Sequence, residues 1–312
     1  KLELGEAQGR SVERVLRGPE SAYYLYGVIG SGKTEVFLRV ARDVLASGRG
    51  VIYLVPEISL VHQVSRIFAA ELGPRVVEMH SGLPASQRLR AWSRIRQGEA
   101  DLVIGARSAV FAPVPRLGLI IIDEEHEGSY KAGSAPRYHA RQVAFHRASS
   151  EGCRLLMGSA TPSVEAIHSM NERRIVRLDL PERLAGGRLP SVEIVDMKRE
   201  KGVLSRPLLE AVRDAHAEGR QSILFLNRRG FSYYFYCRSC GYEMKCQRCS
   251  VALTYHKARE RMICHYCGAS AAPISVCPEC GSLDIGASGF GTEKIEEELA
   301  AIFPDLRIAR LD

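Results

Sequence analysis

The sequence predicts an α/β protein: a P-loop lobe built on a parallel sheet, then a partial second α/β lobe interrupted by a two-zinc module. Three observations predict it. Continuous apolar runs alternate with helix-patterned stretches through the first 180 residues, the pattern of parallel strands covered on both faces. A glycine-rich loop, Gly27-Val28-Ile29-Gly30-Ser31-Gly32-Lys33-Thr34, lies between a strand signal and a helix signal. Eight of the nine cysteines crowd between Cys237 and Cys280 as four C-x-x-C pairs.

The elements follow in order. Ala22 to Tyr26 is short and aromatic or apolar, and Glu35 to Leu45 places apolar residues at helical spacing. Val51 to Val55 and Leu119 to Ile122 read as buried strands, with shorter ones at Leu102 to Ile104 and Leu155 to Met157. The charged, Pro- and Gly-containing stretch from Pro181 to Pro190 is the expected boundary. Beyond it Ser205 to Glu218 looks helical and Ser222 to Leu226 looks like a buried strand. After the cysteines, strand and helix signals resume past Gly291: Thr292 to Ile302 is patterned as a helix, and the last residues look like the next strand. The expected domains are 1–180, the start of a second lobe at 181–230, a zinc module at 231–286, and the second lobe continuing over 287–312.

Composition excludes several classes. With 46% hydrophobic and 25% charged residues the chain is of ordinary globular make-up. No apolar run approaches the roughly 18 residues of a membrane span, so a cytoplasmic protein without membrane partners is expected. The formal charge of +7 treats the thiols as neutral; eight thiolates with two zinc ions would lower it by about four charges. Local clusters say more. Residues 227–263 hold eight Lys/Arg against two Glu, and 85–116 six Arg against two acids, which suits nucleic acid.

The chemistry of the loop is specific. Its glycines let backbone N–H groups surround phosphates at a helix N-terminus, Lys33 reaches the β- and γ-phosphates of ATP, and Thr34 ligates Mg²⁺. The second half of such a site is a strand ending in carboxylates, supplied by Asp123-Glu124-Glu125-His126. Asp123 suits the metal's shell and Glu124 suits polarising the attacking water. Ser159 and Thr161, after another strand, offer hydroxyls at a hinge that senses the nucleotide.

For the cysteines, tetrahedral zinc needs two C-x-x-C knuckles, so four knuckles make two closed, structural sites. Fourteen residues separate the inner pairs and five the first two, which predicts nesting. Cys246, Cys249, Cys264 and Cys267 hold one ion, and Cys237, Cys240, Cys277 and Cys280 the other. His256 and His265 are dispensable beside eight sulfurs, and Cys153 reads as core. The aromatic run Phe231 to Tyr236, beside Arg228 and Arg229, reads as a strand packed on both faces, with base stacking the alternative.

The motifs together resemble the superfamily 2 helicases, and in detail the PriA family of primosomal replication-restart helicases. GVIGSGKTEVF at 27–37, LVPEISL at 54–60, HSGLPASQR at 80–88, IGARSAVFAP at 104–113, DEEHEGSYK at 123–131, PRYHARQVA at 136–144, GSATPSVE at 158–165, FLNRRG at 225–230 and GTEKIEEEL at 291–299 match that family's pattern in order. The resemblance implies a RecA-like helicase lobe and a 3′ to 5′ ATP-dependent DNA helicase acting at stalled or branched forks. Implied partners are forked and single-stranded DNA, single-strand-binding protein and other primosome proteins, near a bacterial nucleoid. It implies the same nested zinc pairing. Gln8 would recognise adenine, the alternative being a solvated helix residue. Tyr130, Arg137, Tyr138 and His139 fall in an aromatic-rich loop coupling DNA to hydrolysis, with His126 also a coupling residue; the alternative for Tyr138 is ordinary packing under a loop. The chain departs from the pattern at Ala7, Ile29 and Gln142, where the family usually has Glu, Thr and Asp. Because it opens on Lys1 and the family's later arginine motifs are not found before Asp312, a central fragment that turns over ATP weakly by itself is expected. The competing function is a DNA- and partner-binding scaffold with little or no turnover.

Overall fold

Seven of the chain's strands form one all-parallel sheet in the order β3-β4-β2-β5-β6-β1-β7. They are β1 (Ala22–Gly27), β2 (Gly50–Leu54), β3 (Val76–Met79), β4 (Leu102–Gly105), β5 (Leu117–Asp123), β6 (Arg154–Ser159) and β7 (Val176–Leu180). The structure, a computed structural model, describes residues 4–73, 75–184, 186, 190–200, 203–226, 233–237, 239–256, 260–288 and 292–310. The chain divides into two units, Lys1–Leu189 and Pro190–Asp312.

The apolar runs are continuous because successive side chains go to opposite faces and both faces are covered. Ile52, Leu54, Ile120 and Ile122 join one buried cluster with residues of α4 (Ala85–Arg96), α5 (Ala140–Glu151) and α6 (Val164–Asn171). Val51, Tyr53, Leu119 and Ile121 join the other, with α1 (Glu6–Arg17), α2 (Lys33–Ala46) and α3 (Ile58–Leu72). Among the described residues no helix is long and apolar enough to cross a membrane.

The second unit holds α7 (Arg206–Ala217), then β8 (Tyr233–Cys237), β9 (Thr254–His256), β10 (Arg261–Ile263), β11 (Ser270–Ala271), β12 (Ile285–Ser288) and α8 (Thr292–Ile302). Its strands form an antiparallel sheet in the order β11-β10-β9-β8-β12. Ser205 caps α7, its hydroxyl accepting the Leu208 N–H at 3.3 Å.

Three sequence expectations change here. Ser222 to Leu226 is not a buried strand. Leu224 and Leu226 pack against Leu204, Ile295 and Leu299, while Ile223 and Phe225 stand 94% and 82% exposed. The segment has alternate residues covered, and no strand among the described residues pairs with it; without neighbours to hydrogen-bond, apolarity alone does not make a strand. Second, the strand near Gly291 is β12, which precedes that residue and pairs with β8 inside the cysteine region. Third, residues 306–310 form no strand. Of the aromatic run, Phe231 and Ser232 lie outside the described residues, as do Arg228 and Arg229.

Gly105 ends β4 where a Cβ would stand 2.1 Å from the Met79 carbonyl oxygen and 2.6 Å from the Ala109 Cβ. Neither neighbour can retreat, since one is strand backbone and the other is fully buried. Gly105→Ala is expected to destabilise the first unit by about 1–3 kcal/mol, read as a lower denaturant midpoint at unchanged slope.

Candidate functional site: a phosphate loop, an acidic strand end and two four-sulfur groups

Strands β5, β6 and β1 are neighbours, and their carboxyl ends bring three motifs together. Asp123 lies opposite Gly158, and Ser159 opposite Tyr26. Ligands of open parallel sheets bind outside such strand ends.

The loop after β1 turns through two left-handed glycines, Gly30 at φ 81° and Gly32 at φ 77°, a region costly for any residue with a Cβ. A Cβ on Gly32 would lie 2.3 Å from Gln8 Nε2, and one on Gly27 2.5 Å from Ser31 Oγ. Lys33 is buried at the start of α2 and its ammonium donates to the Gly27 carbonyl at 3.0 Å, folded over the loop. Ser31 Oγ is buried with no hydrogen-bond partner, a state that ordinarily costs about 1–3 kcal/mol. Thr34 and Ile29 are exposed. An unpartnered buried hydroxyl, a lysine ammonium and glycines leaving room beside the backbone fit a polyphosphate.

Gln8 is not a solvated helix residue. It is 3% exposed; its Nε2 donates to the Ser31 and Gly32 carbonyls, each at 3.2 Å, and its Oε1 accepts the Gly5 N–H at 2.8 Å. Gln8 braces the loop from beneath.

At the end of β5, Tyr53 donates its hydroxyl to Asp123 Oδ2 at 2.9 Å and the Glu124 N–H reaches Oδ1 at 3.0 Å. Burial pushes the Asp123 carboxyl up to about 6, against the Tyr53 hydrogen bond; the Glu124 charge adds to the rise and the Lys33 charge opposes it. Glu124 itself has φ 45°, a left-handed backbone uncommon outside glycine. Ser159 donates its hydroxyl to Glu124 Oε2 at 2.9 Å. Having spent its one hydrogen there, that hydroxyl accepts from His126 Nδ1 at 2.7 Å and from the Thr161 N–H at 3.0 Å. Glu124, Ser159, His126 and Thr161 therefore form one chain of hydrogen bonds across β5 and β6, with the His126 proton on Nδ1.

Sequence reasoning passed over Glu125. It is 1% exposed and its carboxylate takes the Tyr24 hydroxyl at 3.1 Å, the Ser163 hydroxyl at 2.8 Å and the Ser163 N–H at 3.3 Å, and it pairs with Arg141. Its sequence signal was a third carboxylate in succession before a histidine, more than the two the site uses.

The loop between Lys131 and His139 closes as a bridge of those two residues. The Tyr138 ring meets the Phe111 ring edge-on at 5.0 Å and the Arg107 guanidinium at 5.7 Å. It is half-buried, whereas Arg137 is exposed. Tyr130 lies beneath, donating to the carbonyls of Asp123 at 2.6 Å and Leu54 at 3.1 Å. His139 caps α5, accepting the Arg141 N–H at 3.2 Å, and Gln142 is exposed on that helix.

In the second unit the sulfurs gather into Cys237, Cys240, Cys277 and Cys280, and Cys246, Cys249, Cys264 and Cys267, each group within 4.8 Å. This is the nesting the spacing predicts, and among the described side chains His265 does not join it; that of His256 lies outside them. The pairs Cys237–Cys280 and Cys240–Cys277 stand 3.6 Å apart and Cys246–Cys267 3.7 Å. That is far beyond a disulfide and close to the roughly 3.8 Å that tetrahedral Zn–S bonds of about 2.3 Å require. Each knuckle closes identically. The first cysteine's N–H goes to the carbonyl five residues on, and its carbonyl accepts the N–H four residues on: Gly241, Ser250, Gly268 and Gly281. Those four have φ 79°, 56°, 71° and 70°. Burial pushes the Cys237 thiol up, but the Cys240 and Ser239 N–H groups outweigh it and bring the thiol down to about 6. The Cys267 N–H brings Cys264 down to about 7, whereas the neighbouring Cys267 sulfur pushes Cys249 up to about 12. Four clustered thiols can all ionise only around a cation, so the donor set fits zinc. Cys153 is buried in the first unit's core, and burial raises its thiol to about 11.

Two outcomes are expected. Because Asp123 is raised in the folded state, burying its ionised form opposes folding above about pH 6, and the penalty fades as pH falls towards the unfolded value of 3.8. Asp123→Asn should therefore raise stability by about 2–3 kcal/mol at pH 8 and by nothing near pH 3.5, measured by denaturant unfolding across pH. Ser250, the one non-glycine at its knuckle position, holds a conformation costing about 1 kcal/mol. Ser250→Gly should slow zinc release to a chromogenic chelator, Gly268→Val should speed it, and complete chelation should leave the first unit's unfolding transition in place.

Comparison with known proteins places these features. The DEAD/DEAH box helicase family matches residues 6–170, and the PriA DNA helicase Cys-rich region domain matches residues 246–271. The replication restart protein PriA of Treponema pallidum (strain Nichols) is 54% identical over 291 residues, 93% of this chain and 44% of that protein. That of Bacillus subtilis (strain 168) is 43% identical over 295 residues, 93% of this chain and 37% of that protein. That of Synechocystis sp. is 44% identical over 327 residues, 99% of this chain and 39% of that protein. The chain thus spans less than half the length of these relatives. With the phosphate loop and the acidic strand end inside the first family match, and Cys246, Cys249, Cys264 and Cys267 inside the second, the chain belongs to the DEAD/DEAH box helicases and to their PriA replication restart family.

Proposed function

We propose that the chain carries the nucleotide-binding lobe and zinc module of an ATP-dependent DNA helicase that translocates 3′ to 5′ and acts at stalled or branched forks to restart replication. Single-strand-binding protein and primosome proteins are the proposed partners and the bacterial nucleoid the proposed setting. The observation that carries this reading is the convergence of Lys33, in the loop that follows β1, with Asp123 and Glu124 at the end of β5, on either side of β6, whose Ser159 links Glu124 to His126. The scaffold reading has no use for that arrangement.

In this reading the loop from Gly27 to Thr34 surrounds the ATP phosphates, with Lys33 turning from the Gly27 carbonyl to the β- and γ-phosphates. Thr34 and Asp123 would hold Mg²⁺, which supplies charge neutralisation at the transferring phosphate. Glu124 orients the attacking water, and the hydrogen bonds through Ser159 to His126 and Thr161 report its state. Arg137 and Tyr138 contact single-stranded DNA by phosphate attraction and base stacking. Gln8 acts through the loop it braces. The zincs are structural, since four sulfurs leave no open position. Residues 1–180 would be the first helicase lobe, 181–230 and 287–312 parts of the second, and 231–286 the zinc module.

DNA-stimulated ATP hydrolysis, assayed on this chain and on a protein extended to the length of its relatives, tests the reading. Lys33→Ala should lower the extended protein's kcat about 100-fold or more with the fold intact by circular dichroism. Equal turnover by Lys33→Ala and the unsubstituted protein would refute the proposed site, and turnover absent from both would favour the scaffold.

A further inference from the structure

Helix α4 differs from its neighbours in charge. Its twelve residues contain Arg88, Arg90, Arg94 and Arg96 and no acid. Elsewhere in the first unit, several helix arginines pair within their own helix: Arg10 with Glu6 and Arg17 with Glu13 on α1, Arg39 with Glu35 on α2, and Arg147 with Glu151 on α5. On α4, Arg94 stands 3.9 Å from Glu99, whereas Arg88, Arg90 and Arg96 have no carboxylate partner among the described residues.

The helix also leaves apolar surface in water. Ala91 and Ile95 alone are buried, against the core beside β3, while Leu89 is 67% and Trp92 37% exposed. At about 100° per residue, Arg88, Trp92, Arg96 and Leu89 fall within one arc of roughly 100°, next to the buried stripe. Arg88, Trp92 and Arg96 succeed one another at about 6 Å along the axis, a distance over which a stretched single strand advances by one nucleotide. The stripe is therefore cation, indole, cation, with leucine beside it.

We propose that this face of α4 is a contact surface for single-stranded nucleic acid, in addition to the Tyr138 loop. The charge complementarity selects a polyanion. The exposed indole selects one with unpaired bases, because a ring can stack only on a base outside a duplex. An acidic peptide would satisfy the arginines and leave the ring unused. The inference deepens the reading of the chain as a DNA-dependent motor and rests on it.

Trp92 is the sole tryptophan of the sequence, so its emission reports this helix alone. Fluorescein-labelled oligo(dT) is titrated with the chain while anisotropy is followed, and unlabelled oligo(dT) into the chain while tryptophan emission is followed. The expected result is one binding curve by both readouts, with emission falling as anisotropy rises. Trp92→Ala weakens binding about 5-fold or more. Arg88→Gln with Arg96→Gln, both exposed positions that retain the probe, lowers the slope of log K against log salt by about 1.4, at about 0.7 per single-strand phosphate contact. Binding by anisotropy with unchanged emission and an unchanged slope in the double variant overturns the inference and leaves the DNA-binding reading standing. An equal emission change with polyglutamate overturns it in favour of an acidic protein partner. No binding by anisotropy overturns the functional reading and this inference with it.

Discussion

A carboxylate shut away from water ties the proposed nucleotide site together. Glu125 accepts from Tyr24 on β1 and from Ser163 at the start of α6, pairs with Arg141 on α5, and through its own N–H holds the Gly158 carbonyl on β6. A buried ion is tolerated only when every lone pair is satisfied, and loss of one partner leaves an uncompensated charge worth several kcal/mol. The four elements are therefore held in one arrangement. Glu124 and His126 flank Glu125 in sequence, so fixing it fixes where they point. The left-handed Glu124 backbone is a consequence, since turning one carboxylate inward and the next outward on successive residues requires an unusual dihedral.

The same anchor links the site to its surroundings. Arg141 follows the loop bearing Arg137 and Tyr138 by three residues, and Ser163 follows Thr161 by two. Arg141, near the start of α5, therefore ties the chain just after that loop to the acidic strand end. On the opposite side, Gln8 joins α1 to the phosphate loop through two carbonyls. The second unit uses a different economy. Among its described residues the buried clusters, one around Leu253 and Met262 and one around Leu204, Ile295 and Leu299, are small, and the four knuckles add order beside the first of them.

The sheet was legible because strands buried on both faces must be apolar throughout, as Val51 to Val55 and Leu119 to Ile122 are. The phosphate loop and the cysteine nesting were legible because their chemistry dictates spacing: glycine where the backbone turns left-handed, and two knuckles per tetrahedral ion. Ser222 to Leu226 misled, since its composition satisfies a strand while pairing depends on what lies beside it. Glu125 was obscure for a related reason: a carboxylate in an acidic run looks solvent-facing until a distant residue, Arg141, is brought against it. Gln8 was marked as a site residue by resemblance, but its bonds to the Ser31 and Gly32 carbonyls depend on residues more than twenty positions away.

The central claim is that the strand ends of the first unit form a nucleotide site organised around Lys33 and the acidic motif. Calorimetric titration of this chain with a non-hydrolysable ATP analogue and Mg²⁺ tests it most directly. The account predicts saturable one-to-one binding that Lys33→Ala abolishes. Equal heats and stoichiometry for the two proteins would contradict it.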